Sequence, residues 1–519
     1  MSDVLTAIKT LFPTSPLLSE KGDFVVDETL GVGLLFAADF SRSKQKRAII
    51  ASNLYGAQRL YEFLANFLDE DDLIFFPGDE LLRAETLVSS KEFLVQRLFG
   101  MQQSLEDKPR ILITHPSALL RYLPSPERYV EKTLKLLKGE EYDLTDLKET
   151  LVELGYERVE RVVAPLQFAA RGDIIDVFSV SSISPARIEF FGDQIDAIRI
   201  FGLGDQRSYT EADEYTVLPA TDIFVSEDEL TQLALTTDRL LKEDEEIHSP
   251  ALMEDERAFV SSELQRYITH DYKPSLYRYF TLLFDRPFSI LDYFRPSGVF
   301  IANKNQYRQT VNMLRSEADE YLAELHERGR VVSGLHQYME SHQAIKKGPS
   351  LHYGVHFVAT GDETVFTVHK AAVNSSGFNG IVTHIRTYLS TNEKTVLCLS
   401  DKHKWNSVVE LLRENDIPFE EVSGFDLPKG ALGISSTYLN EGFEIPALKM
   451  AFLSENDIFG RKNVAARFAN RFKNATVLHS FEDLKPGDYV VHEYNGIGQF
   501  AGIETLLVEG NHRDFLHIL

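Results

Sequence analysis

Short apolar runs that alternate with helix-length stretches constrain the fold of this chain more than any other feature. Residues 47–52, 72–78 and 110–115 are rich in aliphatic and aromatic side chains and predict buried strands. Between the first two runs, Leu60 and Leu64 lie one helical turn apart, which predicts a helix with one apolar face. Because strands that alternate with helices form parallel sheets with crossover connections, we expect an α/β domain here.

The next part of the sequence has a different pattern. Residues 143–154 predict a helix that Gly155 ends, and two alternating runs flank Gly192 and Asp193, a pair typical of a tight hairpin turn. These signals predict an antiparallel hairpin within an α+β insert. Acidic, proline-broken sequence follows, and we expect residues 241–257 to be exposed.

A chain of 519 residues suits three to five domains of ordinary size. A second α/β pattern follows the acidic region, and the end of the chain alternates like short strands. We therefore predict a multidomain α/β protein. The predicted divisions are a first lobe at 1–119, an insert domain at 120–213, a return to the first lobe at 214–345, a small α/β domain at 346–460, a basic linker at 461–479 and a β module at 480–519.

Charge and cysteine content restrict the partners. The formal net charge is −25, from 79 acidic and 54 basic residues, so the average field repels a phosphate backbone and favours protein partners over nucleic acid. Cys398 is the one cysteine, which excludes an intramolecular disulfide, and no His/Cys cluster predicts a structural zinc site. The sequence predicts neither a signal peptide nor a membrane span, so we expect a protein of the reducing cytoplasm.

The position for a nucleotide-binding loop lacks the required residues. Such a loop needs glycines, whose backbone N–H groups cradle phosphates, followed by Lys and a hydroxyl side chain. Gly31 and Gly33 begin a turn of this kind, but apolar residues 34–36 occupy the place of the phosphate-contacting groups. Since no Gly-Lys-Ser or Gly-Lys-Thr occurs in the chain, we expect only a tight strand-to-helix turn here and no ATP site.

Other candidate sites are equally weak. After the predicted strand at 298–302, an ATPase would place an Asp-Glu pair to hold Mg²⁺, whereas this chain has Asn303 and Lys304. His352 and His356 have the spacing of helical zinc ligands, but Gly354 between them breaks a helix, so we do not expect a zinc site. The acidic run at residues 69–72 predicts a solvated loop.

Three segments resemble one known family. Residues 167–208 closely resemble the hairpin-bearing domain that the repair helicase UvrB shares with the transcription-repair coupling factors, the Mfd family. Residues 484–518 resemble the RNA-polymerase-interacting domain of that family, a Tudor-like β module also found in CarD-type regulators. Residues 439–460 resemble the segment just before that module. The segments occur in the family's order, so the resemblance covers essentially the whole chain.

The resemblance implies a fold and a role. It implies a degenerate RecA-like, UvrB-like lobe with an α+β insert, a second α/β domain and a partial Tudor-like module, with the chain ending inside that module. Family proteins recruit UvrA to lesion-stalled RNA polymerase and displace the polymerase by translocating on double-stranded DNA. For this chain the implied role is recruitment and docking by a monomer without catalytic residues, cofactors or metal, because ATP and Mg²⁺ belong to motor lobes of the longer proteins.

The family's UvrA-binding surface maps onto Arg171, Arg187 and Phe191. Two planar guanidinium groups can bind carboxylates of a partner, and an aromatic ring between them is a typical anchor at an interface. These side chains alternate with an Ile/Val core face, so a purely structural role in the sheet would leave them exposed without a reason.

The contact with the polymerase β subunit maps onto Ile503, Thr505 and Leu506, in a strand that can pair with a strand of the partner. Two alternatives remain open at this point. One is a DNA helicase or translocase with an unrecognised ATP site, and the other is a free-standing adaptor that evolved as a short protein.

Overall fold

A computed structural model describes residues 3–12, 17, 23–26, 29–78, 91–283, 287–345, 351–355, 364–372, 380–459, 489–492, 496–508 and 511–518. The chain forms two compact units, Met1–Leu82 with Glu92–Asn463 and Arg83–Lys91 with Val464–Leu519. The helices are α1 (Asp3–Leu11), α2 (Leu30–Ser43), α3 (Leu54–Leu64), α4 (Lys91–Leu105), α5 (Pro116–Leu119), α6 (Pro126–Glu131), α7 (Leu144–Glu153), α8 (Glu227–Asp244), α9 (Pro250–Ile268), α10 (Tyr277–Phe280), α11 (Ile290–Phe294), α12 (Lys304–Glu327), α13 (Ser341–Ala344), α14 (Ile381–Thr391), α15 (Lys402–Glu414) and α16 (Glu455–Phe459).

The strands are β1 (Asp23–Val26), β2 (Arg47–Ile50), β3 (Leu73–Phe76), β4 (Ile111–Thr114), β5 (Leu134–Leu137), β6 (Glu157–Arg158), β7 (Gln167–Arg171), β8 (Ile174–Val177), β9 (Ala186–Phe191), β10 (Gln194–Phe201), β11 (Ser208–Ala212), β12 (Glu214–Val217), β13 (Gly298–Ile301), β14 (Leu351–Val355), β15 (Thr364–Phe366), β16 (His369–Lys370), β17 (Lys394–Cys398), β18 (Glu420–Glu421), β19 (Leu432–Ser435), β20 (Phe443–Ile445), β21 (Met450–Ser454), β22 (Tyr489–His492), β23 (Gly496–Val508) and β24 (Asn511–Ile518). None of the helices in the described part of the chain is long and apolar enough to cross a membrane.

The first lobe is a seven-stranded sheet in the order β15-β1-β14-β13-β2-β4-β3, and every pair in it is parallel. The strands predicted at 47–52, 72–78 and 110–115 are confirmed as β2, β3 and β4. The predicted domain boundary at residue 346 was wrong, because β14 and β15 lie beyond it and belong to this sheet. A strand's composition shows that it is buried, but not which of two neighbouring sheets it joins.

The insert carries a six-stranded sheet in the order β11-β10-β9-β8-β7-β6, antiparallel except for the β6–β7 pair. Helix α7 begins after Asp143, whose carboxylate accepts hydrogen bonds from the N–H groups of Thr145 (2.7 Å) and Asp146 (3.0 Å). The predicted β9–β10 hairpin is confirmed. Because β12 pairs with β5 in a separate two-stranded sheet, the insert extends past the predicted end at residue 213.

Helices α8, α9 and α12 follow the insert and pack beside the first lobe as part of the same apolar core. The expectation that residues 241–257 are exposed was wrong in part. This stretch forms the end of α8 and the start of α9, and it buries Asp244 and Glu256 completely. The acidic composition of this stretch predicted exposure, because a carboxylate is stable inside a protein only when other groups pair with it. Those partners lie elsewhere in the chain and cannot be recognised from the local sequence.

The second α/β domain is a six-stranded sheet in the order β16-β20-β21-β17-β19-β18, flanked by α14 and α15. It shares an apolar cluster with the first lobe. The ring of Phe67, which follows α3, lies 4.5 Å from that of Phe425, and the ring of Phe63 lies 5.8 Å from that of Phe443. Helix α3 is therefore packed between the two domains.

The terminal unit contains the antiparallel sheet β22-β23-β24. The predicted alternation of strands in this module is confirmed, and β24 pairs along β23 from Val508 to Phe500. The predicted basic linker at 461–479 lies outside the described residues.

Candidate partner-binding face of the insert

The three residues predicted to bind UvrA lie on one face of the insert sheet. Pairing places Arg171 opposite Ile174 and Asp176 opposite Arg187, and side chains directly opposite each other point to the same side. Along β9, Arg187 and Phe191 are four residues apart and therefore share a face, about 13 Å apart at 3.3 Å per residue. The alternate residues of β9 point to the core.

Arg171 ends β7 next to the turn at Gly172, which has a φ of +58°. Its side chain is exposed, and one guanidinium nitrogen donates to the backbone carbonyl of Glu160. That contact leaves other N–H donors of the guanidinium directed to solvent, since an arginine carries five. Arg171 can therefore meet a partner carboxylate without losing a salt bridge within the chain.

Arg187 is in a different situation, because its guanidinium is already paired. Its Nε and Nη2 donate to the two carboxylate oxygens of Asp176 at 2.8 and 2.9 Å, and its Cζ lies 4.8 Å from the centre of the Phe201 ring. Hydrogen bonding to Asp176 raises the pKa of Arg187 above its ordinary value. The planar fork expected to meet a partner is thus largely used inside the sheet.

Phe191 is the most unusual side chain on this face. It ends β9, beside Gly192 with a φ of +64°, and 82% of its surface is exposed. Its neighbour Phe190 is buried on the opposite side of the strand. A large aromatic ring left in water at a hairpin end contributes nothing to the core, so this position is suited to contact another molecule.

Sequence reasoning missed two residues of the same face. Ile174 is 37% exposed and lies directly opposite Arg171. Arg199 joins Glu189 and Glu211, which pair with it at 2.5 and 3.5 Å and form an ionic border along the face. The period of two along β8 could have found Ile174, since it shares a side with Asp176.

The predicted nucleotide-loop glycines do not lie in a turn. Gly31 and Gly33 are inside the first turns of α2, and every residue from Leu30 to Phe40 is buried. A Cβ atom at Gly33 would lie 2.5 Å from Cδ1 of Phe63, so the glycine permits close packing of α2 on α3. The expected turn was wrong in position because the helix starts where a phosphate loop would run.

The other weak candidates have structural roles. Asn303 caps α12, and its Oδ1 accepts a hydrogen bond from the N–H of Gln306 at 3.0 Å. His352 lies in strand β14 rather than in a helix, and His356 lies outside the described residues. Within the acidic run, residues Glu70–Asp72 form a 3₁₀ turn in which Glu70 and Asp71 are exposed, and the half-buried Asp72 pairs with Lys44 at 3.3 Å.

The residues predicted to contact the polymerase are in β23. Ile503, Thr505 and Leu506 pair with residues of β24, whereas β22 pairs only with the first part of β23, up to Gln499. Among the strands described in this unit, none lies on the other side of β23 beyond that point. Within the described residues, β22 therefore pairs with β23 from Gly496 to Gln499, and β24 pairs with it from Phe500 to Val508.

Two family models match the chain. Residues 134–223 match the UvrB interaction domain, and residues 484–519 match the CarD-like/TRCF RID domain. The first match spans the insert and includes Arg171, Arg187 and Phe191, and the second includes the predicted contact strand. The chain therefore combines a UvrB-type interaction domain, set into an α/β lobe, with a CarD-like module.

Relatives that are similar to most of this chain are transcription-repair-coupling factors. The chain is 27% identical over 480 residues to that of Bacillus subtilis, covering 91% of this chain and 41% of the relative. It is 25% identical over 499 residues to that of Staphylococcus haemolyticus and 26% over 498 residues to that of Staphylococcus aureus, each covering 93% of this chain and 42% of the relative. The resemblance to the transcription-repair coupling factors is thus confirmed, and the chain spans about two fifths of the length of these relatives.

Proposed function

We propose that this chain is an adaptor that recruits UvrA to RNA polymerase stalled at DNA damage. The observation that carries the proposal is the position of Phe191, an exposed aromatic ring on a sheet face within the matched UvrB interaction domain. Arg171 and Ile174 lie on the same face and add a charged group and an apolar surface. An exposed aromatic anchor with a neighbouring arginine has the composition of an interface hot spot.

The second half of the proposal concerns the polymerase. A strand of the polymerase β subunit would pair with β23 near Ile503, Thr505 and Leu506, on the side opposite β24. In this mode backbone hydrogen bonds supply affinity, and alternate side chains supply specificity. Substitution of Ile503 and Leu506 by Ala should weaken capture of the β subunit but leave capture of UvrA unchanged.

The same proposal assigns no nucleotide hydrolysis to this chain. It is supported by the burial of α2 at the place of a phosphate loop and by the capping role of Asn303. The alternative, a translocase in its own right, requires ATP binding by these residues. Calorimetric titration with ATP and Mg²⁺ distinguishes the two, since binding that is lost on substitution of Gly31 or Gly33 would favour the enzyme.

Binding of purified UvrA tests the adaptor role. Phe191→Ala should weaken the complex by about 2 kcal/mol or more, roughly thirtyfold in Kd, if the ring is an anchor. Ile183→Ala is a matched control, because Ile183 is an apolar residue of the same domain with the same 82% exposure. Equal affinities of the two variants would refute the proposed face, and no binding by the folded native chain would refute the adaptor role.

Arg187 needs a separate comparison. Arg187→Ala also removes the partner of Asp176, so a loss of UvrA binding could arise within the sheet. Asp176→Ala breaks the same salt bridge but retains the guanidinium. If Arg187 contacts UvrA, its removal should weaken binding more than the Asp176 substitution, whereas equal losses would indicate a structural role.

A further inference from the structure

A buried group of histidines and carboxylates lies where α8, α9 and α12 meet. His248 is in the connection between α8 and α9, Glu256 is in α9, and His326 is in the last turn of α12. One potential ligand atom from each of these side chains lies within 4.8 Å of the other two. The connection that holds His248 is short, so two of the three groups come from one helical hairpin and the third from a distant helix.

The contacts within this group are close. Nδ1 of His248 lies 2.8 Å from Oε2 of Glu256, and Nε2 of His326 lies 3.1 Å from Oδ1 of Asp244. The two imidazole rings face each other with their centres 4.4 Å apart. These distances bring two imidazoles and two carboxylates together where the three helices meet.

Glu256 supplies a second, independent observation. Its side chain is completely buried, yet Oε1 has no hydrogen-bond partner. A buried carboxylate oxygen without a partner is costly to maintain, and such atoms require an explanation such as a bound ion. Oδ1 of Asp244 and Nε2 of His326 are likewise buried without a hydrogen-bond partner, whereas Oδ2 of Asp244 accepts a hydrogen bond from the N–H of Ser333 at 3.0 Å.

We propose that His248, Glu256 and His326 bind one zinc ion. Two histidines and one glutamate are a ligand set that zinc takes in proteins, with bonds of about 2.0–2.2 Å. Ligand atoms around such a tetrahedral ion lie roughly 3.3 Å apart, so the widest pair would need to close by about 1.5 Å. Charge also fits, because a dication with two neutral imidazoles balances the carboxylates of Glu256 and Asp244.

Asp244 is a positioning residue for this site. Its Oδ1 lies 3.1 Å from Nε2 of His326, although neither atom forms a hydrogen bond, and with Nδ1 of His326 on the ion this carboxylate would orient the ring. The His326 side chain is 17% exposed, so the site lies close to the surface, and water would supply the fourth ligand. The bound ion would fasten the end of α12 to the α8–α9 hairpin.

The local backbone supports this convergence. Gly329, just after α12, has a φ of +62°, and a Cβ there would lie 3.0 Å from Cδ1 of Leu252 and 3.4 Å from Cβ of Glu256. The chain therefore turns tightly against α9 directly beside the histidine. The site uses no cysteine, which is why a count of Cys residues in the sequence did not predict it.

Zinc titration of the whole chain tests the proposal. The protein is purified with a chelator, and the chelator is removed before the titration. We expect one equivalent of Zn²⁺ to bind and to raise the melting midpoint. Glu256→Gln and His326→Asn should abolish both effects, and Asp244→Asn should weaken binding by about 10- to 100-fold. His403→Asn is the matched control, because His403 is exposed at the start of α15 and should not contribute.

A measurement on the unsubstituted chain covers the case in which these variants fail to fold. With Co²⁺ in place of zinc, we expect the intense visible absorption of a four-coordinate ion at one equivalent. Only weak absorption typical of six-coordinate cobalt, or zinc binding that the Glu256 and His326 substitutions leave unchanged, would overturn the proposal and indicate ions on surface histidines.

Discussion

Asp222 should be the most sensitive single carboxylate for the attachment of the insert to the first lobe. It follows β12 and is buried between Arg97 of α4 and Arg121. Nε of Arg97 donates to Oδ2 at 3.1 Å, and Nε and Nη2 of Arg121 donate to Oδ2 and Oδ1 at 2.9 and 3.0 Å. Arg121 also lies over the ring of Tyr277 at 3.9 Å.

The expected magnitude follows from these contacts. Asp222 accepts three hydrogen bonds from charged groups, and at about 1.5–3 kcal/mol each their sum is an upper limit for the loss of stability on removal of the carboxylate. The loss should be smaller than this limit, because Arg121 is 15% exposed and water can hydrogen-bond to it in the variant. Removing one member of a buried pair costs about 3–5 kcal/mol, since the remaining charges stay buried. Asp222→Ala should therefore lower the local opening free energy by about that amount.

Hydrogen exchange measured by mass spectrometry on peptides from β12 and α4 reports this quantity. At about 1.4 kcal/mol per factor of ten, exchange there should become roughly 100- to 4,000-fold faster. Asp238→Ala is the matched control, because Asp238 pairs with Lys242 at 2.7 Å on the exposed side of α8 and should have no measurable effect. Equal exchange in the two variants would refute the reasoning.

The pH dependence of the same contact has a defined sign. Burial alone would raise the pKa of Asp222, but the charges and hydrogen bonds of Arg121 and Arg97 outweigh it and hold the pKa well below its ordinary value. A carboxyl whose pKa is lowered on folding stabilises the folded state fully above its unfolded pKa of about 3.9. The contribution should therefore be lost as the pH falls below that value, and in Asp222→Ala this loss should be absent.

Two further predictions concern packing. Gly33→Ala should destabilise the first lobe, because the new Cβ meets the buried Phe63 ring. Overpacking should cost about 1–3 kcal/mol, and the higher helix propensity of alanine should offset up to about 1 kcal/mol of that cost. Urea denaturation checks this, with Gly204→Ala in an open, exposed turn as the control; an unchanged midpoint for Gly33→Ala would contradict the packing role. Cys398 is fully buried, and burial, with a smaller effect of Asp457, raises the pKa of its thiol far above the ordinary value. It should react with a disulfide reagent only after unfolding, and fast reaction in the folded chain would show that the core around β17 opens.

The sequence predicted local elements better than their assembly. Strands β2, β3 and β4, helix α7 and the β9–β10 hairpin follow from periodicity and turn residues, which act over a few neighbouring positions. The same signals could not assign β14 and β15 to the first sheet, because membership depends on which distant strand offers a free edge.

For the candidate sites too, the sequence predicted features that depend on neighbouring residues but not those that depend on distant ones. Alternation along β9 placed Phe191 outside the core, and its exposure agrees with that expectation. The pairing of Arg187 with Asp176 depends on the register between two strands and could not be read from spacing. The group of His248, Glu256 and His326 was missed because its members become neighbours only after three helices pack.

The order of the first sheet has a consequence for synthesis of the chain. Strand β1 pairs only with β14 and β15 among the described strands, and Asp23 is opposite Tyr353. At roughly 5–20 residues per second, the ribosome needs on the order of 15 to 70 s to deliver that partner after β1 emerges. During this interval the insert, whose strands pair with close neighbours in sequence, can already fold. The N-terminal strand must wait for these partners, so β1 is the natural place for a chaperone to act on the nascent chain.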